Sequence, residues 1–204
     1  MKINFTDVAA FYLAMAVIVV IRDLVFYDIF NFFWFCDIGL VLFAIAFFNR
    51  NIQFIKGLIN IGLVAQSIFL LSIVVYAGFK IQMNGLPVVL FHTSWVNILV
   101  SIIIHLLSTN LALFLTYKEK NGASSLAYSL GVLLFLYVMS LLLTPPSYNI
   151  NYVFSSDFLG FNIPFYTFLW PVLAFVPKGI YIMIGLLVIY FIAVVIYSYM
   201  IFKH

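Results

Sequence analysis

Cys36, Asp37 and His105 are the residues whose types could combine into reactive chemistry. A thiol becomes a nucleophile when a histidine takes its proton, and a carboxylate can hold that imidazole in position. Such a catalytic set would suit acyl transfer or hydrolysis. Without the thiol, Asp37 and His105 could form a pair that binds a proton or a polar substrate inside a membrane. Each residue also has a structural reading. Cysteine in apolar surroundings behaves as an inert small hydrophobe. A buried carboxylate can be paired or capped, and a neutral imidazole is satisfied by a carbonyl. Cys36 is the single cysteine, and only His92 and His204 accompany His105. No Cys/His spacing matches a metal site, so neither metal nor cofactor is expected.

Polar residues cluster around these three. Asn31 and Trp34 precede Cys36 and Asp37. Asn97, Ser101, His105 and Ser108 are spaced by four, four and three residues, which puts them on one helical face. Asn149 and Asn151 follow Pro145-Pro146. Asn31, Trp34, Ser101, Asn149 and Asn151 are therefore candidates for substrate contact. The stripe could equally glue helices together, and the two later asparagines could cap helix ends.

The elements that must position these groups follow from composition. Of 204 residues, 67% are hydrophobic and 7% charged, against about 25% charged in a soluble domain. That excludes a soluble enzyme and a disordered chain. The net charge of +3 is scattered over loops, so nucleic acid is not an expected partner. Spans of about 20 apolar residues cross a bilayer core, and six candidates emerge: Phe5–Ile21, Ile29–Phe48, Gly57–Phe79, Trp95–Tyr117, Ser125–Thr144 and Gly179–Ile201. Ala14-Met15-Ala16 resembles a leader cleavage site, but Asp7 interrupts the short apolar stretch before it, which favours a retained span. The runs are too long and continuous for a spanning β-barrel. Within the loop Ser147–Lys178, Phe165–Val176 is too short to span and is expected to lie in the interface or re-enter the bilayer.

The predicted fold is thus all-α: one transmembrane domain over residues 1–204, with six helices and an interfacial or re-entrant segment. Six spans place both termini on one side. Lys2, Arg50, Lys56, Lys118, Lys120 and Lys203 share it, against Arg22, Lys80 and Lys178 opposite. The positive-inside rule then puts both termini in the cytoplasm, across the cytoplasmic (inner) membrane. On a continuous helix Asp37 lies ~12 Å and His105 ~15 Å below the outer surface, where the two could meet.

Asn31-Phe32-Phe33-Trp34-Phe35-Cys36-Asp37 and the Thr144–Phe154 run, with Pro145-Pro146 and Asn149-Ile150-Asn151, resemble a family of prokaryotic integral membrane proteins of about this length. His105 stands where that family also shows a histidine. The resemblance implies a shared six-span fold and supplies no activity. The chain is more distantly similar to the YwaF-like membrane family, some of whose eukaryotic relatives are linked to acyl transfer on lysophospholipids. That family places a histidine two residues before a cysteine in an early span. Cys36 matches the cysteine, whereas Trp34 replaces the histidine, so His105 would have to supply the base.

Three functions are compatible with these features. A lipid-active transferase or hydrolase would use Cys36, His105 and Asp37 in the outer half of the membrane. A small transporter would use Asp37 and His105 as a carrier pair. An accessory subunit would assemble with itself or with a larger membrane complex. Membrane lipids are the expected partner in every case.

Overall fold

The computed structural model describes residues 4–80 and 94–148. Gly179–Ile201, most of the loop before it, and His92, Asn149 and Asn151 lie outside the described residues. Five α-helices make up the fold there: α1 (Phe5–Phe26), α2 (Phe35–Phe48), α3 (Ile52–Phe79), α4 (Trp95–Thr116) and α5 (Ala123–Leu143). The protein is all-α among the described residues. Three of these helices, α1, α4 and α5, are long and apolar enough to cross a membrane.

The first two expected spans differ from the helices that form. The α1 helix does not stop at Ile21; it continues through Arg22 and Asp23 to Phe26. Polar side chains need not end a helix when its own backbone bonds persist and their charges find partners. The second expected span, Ile29–Phe48, is not one helix. Ile29–Phe33 is a 3-10 turn, Trp34 is extended (φ −60°, ψ 141°), and α2 begins at Phe35. Local side-chain bonds explain this break. The Asp28 carboxylate accepts the Phe30 amide at 3.2 Å, and the Trp34 indole donates to the Asn31 side chain at 3.3 Å. Asp37 therefore sits in the first turn of a 14-residue helix, not ~12 Å along a continuous one. A carboxylate is favoured there by the helix dipole.

The turn between α2 and α3 is built without glycine. Arg50 adopts φ 52°, the left-handed geometry of a Schellman cap. Its amide donates to Phe47 and that of Asn51 to Ala46, both at 2.9 Å. Asn51 then caps α3, accepting the Phe54 amide at 3.0 Å and donating to the Tyr128 hydroxyl at 2.8 Å. Asn51→Ala is expected to cost about 1 kcal/mol, read as a lowered melting temperature in detergent; an unchanged melting curve would show that the cap contributes nothing.

Packing pairs α1 with α2 and α3 with α4, α5 and α2. Tyr12 of α1 stacks on Phe43 and Phe47 of α2, with ring centroids 5.1 and 5.4 Å away. The distribution of polarity on α4 is inverted relative to a water-soluble helix. Its buried face carries Asn97, Ser101, His105, Ser108, Thr109 and Thr116, while Leu99, Ile103, Leu106, Leu107 and Phe114 are exposed. Water would demand the reverse, so the outer surface suits a hydrocarbon solvent.

Candidate functional site

Near the C-terminal end of α1, Arg22 and Asp23 turn inward against Asp37 of α2. Arg22 Nη2 lies 2.6 Å from Asp23 Oδ1 and 2.9 Å from Asp37 Oδ2, and its Nε donates to Asp23 Oδ1 at 3.0 Å. Both carboxylates are nearly inaccessible, Asp23 at 0% and Asp37 at 2% exposure. Removing such charges from water is costly unless each is paired and hydrogen-bonded. One guanidinium faces two carboxylates, a formal charge of −1 at this centre. Among the described residues, Asp23 Oδ2 and Asp37 Oδ1 are buried without a hydrogen-bond partner.

Neighbouring elements hold the guanidinium in place. Tyr27 lies under it, 5.7 Å from ring centroid to Cζ, and the Tyr27 hydroxyl accepts from Asn97 Nδ2 at 2.5 Å. Arg22 Nη1 reaches Ser101 Oγ at 3.5 Å, the long limit of a hydrogen bond. The centre thus joins α1, α2 and α4. Arg22 is four residues from the end of α1 and Ser101 six from the start of α4, which puts it ~6–9 Å below those helix ends.

His105 belongs to the next turn of α4. Its Nδ1 lies 2.7 Å from the Ser101 carbonyl, and its ring stacks on Phe69 of α3 with centroids 3.6 Å apart. Since a carbonyl only accepts, Nδ1 carries the hydrogen, and Nε2 of the neutral ring is an acceptor. Among the described residues no hydrogen bond or ion pair joins His105 to Asp37 or Cys36. Asp37 bonds to Arg22 instead, because Arg22 lies inside α1 rather than in a loop. Cys36 is half-buried and free, its thiol close enough to interact with the Asp37 carboxylate. Ser101 is the residue that connects the two groups, through its hydroxyl to Arg22 and its carbonyl to His105. Asn31 and Trp34 are half-buried and bonded to each other at the 3-10 elbow.

Arg22 and Asp23 are the members of this centre that sequence reasoning missed. The usable signal was their position: an adjacent Arg-Asp pair flanked by Val19-Val20-Ile21 and Leu24-Val25-Phe26, where an apolar run resumes after the charges. Among the described residues, no group of three or more His, Cys, Asp or Glu side chains is placed to hold a metal ion. Compared with known proteins, the chain matches no family model, no curated protein and no solved structure.

Proposed function

We propose that this chain is a six-span protein of the cytoplasmic membrane, with both termini in the cytoplasm, that carries protons through the Arg22–Asp23–Asp37 centre. The carrying observation is a buried centre of formal charge −1 in which two carboxylate oxygens have no hydrogen-bond partner among the described residues. Neutrality there calls for one more positive charge. Two carboxylates already shared by a guanidinium leave too few ligands for a metal ion, whereas a proton needs one oxygen. The location also fits, since ionisable groups in a membrane domain mark ion and proton pathways.

Topology supplies the rest of the reading. Gly179–Ile201 would provide the sixth span, and Phe165–Val176 the interfacial or re-entrant segment. The basic residues divide six against three in favour of cytoplasmic termini. The likeness to the prokaryotic six-span family implies the same arrangement. Thiol chemistry is less well supported, because Asp37 is held by Arg22 and no hydrogen bond joins His105 to Cys36 or Asp37 among the described residues.

Reconstitution in liposomes holding a trapped pH-sensitive dye tests the proposal. After an external pH step, the protein should speed internal acidification well beyond protein-free vesicles. Asp37→Asn should return the rate to that leak. The amide keeps an oxygen for Arg22 and leaves a neutral Arg22–Asp23 pair, so folding should survive. Cys36→Ala should conduct like the parent. A parent rate no faster than the leak, or full conduction by Asp37→Asn, would overturn the reading.

A further inference from the structure

We infer that protons leave this centre along the buried face of α4, through His105, to a second polar station formed by Tyr12, Gln66, Ser108 and Thr109. The inference rests on the proposed conduction through Asp37 and names its inward route. Buried polar residues continue down α4 from Asn97 to Thr116. That separation is ~28 Å of helix, close to the ~30 Å of a hydrocarbon core. Ser101, His105 and Ser108 follow one another on this face at intervals of ~6 and ~4.5 Å along the axis.

Three helices converge at the station. The Tyr12 hydroxyl of α1 donates to the Ser108 carbonyl, and Gln66 Nε2 of α3 donates to Ser108 Oγ at 2.6 Å. Gln66 and Thr109 are 4% and 1% exposed, yet Gln66 Oε1 and Thr109 Oγ1 have no hydrogen-bond partner among the described residues. Leaving such atoms unsatisfied costs about 1–3 kcal/mol each. Helix packing alone does not explain that cost, since an aliphatic residue at either position would avoid it. Groups that accept a hydrogen bond on one side and donate on another are what a proton relay requires.

The chemistry is a plain transfer. A proton leaves the Asp37 carboxyl and binds the lone pair of His105 Nε2, giving an imidazolium. The Ser101 carbonyl holds the Nδ1 hydrogen throughout. The imidazolium then gives up its Nε2 proton to a water hydrogen-bonded by the station, and the ring returns to neutrality. That water passes the proton on along the water chain toward the inner face. Water is the carrier between the fixed groups. No other bond is made or broken, and no oxidant or reductant takes part.

The test uses the same dye-loaded liposomes. Thr109→Val is nearly isosteric, and Gln66→Met keeps the unbranched shape while removing the amide. Each should slow conduction by about tenfold or more, and Thr109→Ser, which keeps the hydroxyl, should retain it. A merely structural role predicts a lowered melting temperature with conduction intact. If Gln66→Met fails to fold, Thr109→Val against Thr109→Ser decides alone. Parent-like conduction by Thr109→Val, with Asp37→Asn abolishing conduction, would overturn this route and leave the proposed function standing. A parent rate no faster than the leak would overturn both.

Discussion

Arg22→Met is expected to destabilise the protein by about 3–5 kcal/mol, the cost of removing one partner from a buried ion pair. Methionine preserves the apolar stem that arginine threads between helices, so the loss isolates the guanidinium. What remains is two carboxylates that both bonded to the same Arg22 nitrogen. They lose the charge that held them and repel each other. The removed hydrogen bonds also include the reach to Ser101 of α4, so α1, α2 and α4 lose a shared attachment. Thermal melting followed by helicity in detergent should show a large drop for Arg22→Met. Adding Asp37→Asn should recover part of it. Adding Asp23→Asn as well should recover most, because a neutral centre has no stranded charge. The order Arg22→Met below the double variant below the triple variant is the signature. A parent-like melt for Arg22→Met would show that the centre does not hold these helices together.

Much of the helical layout was legible from hydrophobic runs alone. The expected Trp95–Tyr117 and Ser125–Thr144 differ from α4 and α5 by no more than two residues at either end. The polar Lys118–Gly122 stretch between them reads directly as a turn, whereas the Ser94 cap that starts α4 emerges from the structure. The errors cluster where charge and apolar sequence meet. Ending the first span at Ile21 treated Arg22-Asp23 as a surface pair, since sequence shows the cost of burying a charge but not the partner that offsets it. That partner, Asp37, is 14 residues beyond Asp23 and comes within reach only because the chain reverses at the 3-10 elbow. The elbow itself depends on Asp28 and Asn31 side chains competing with backbone bonds, which an apolar run of Ile, Phe and Trp conceals. The same elbow separates Asp37 from the depth that a continuous helix gave it. The α4 stripe was visible because it obeys a helical period; Gln66 and Tyr12, which meet it from other helices, carry no pattern of their own.

Gly57→Val should be among the most disruptive single changes outside the charged centre. A Cβ at Gly57 would lie 2.8 Å from Tyr128 Cβ, 2.9 Å from the Ser125 carbonyl oxygen and 3.2 Å from the Ser129 amide nitrogen. Two of these three are backbone atoms of α5, which no rotamer change can move. Valine adds two further methyl groups to the clash, so α3 and α5 must separate. Separation also takes the Ser129 hydroxyl from the Gly57 carbonyl, a 2.9 Å bond, and pulls Phe54 from the Tyr128 ring it stacks on at 5.0 Å. Overpacking in a tight interior costs about 1–3 kcal/mol, and the lost contacts add to it. Gly131→Ala on the exposed side of α5 is the matched control, with no described atom within 4 Å of its Cβ. Its melting temperature should be unchanged or slightly raised, because alanine favours the helix. Equal effects from the two substitutions would mean that α3 and α5 do not meet through Gly57. A steep loss confined to Gly57→Val would establish that small residues, rather than a broad apolar core, set the distance between these helices.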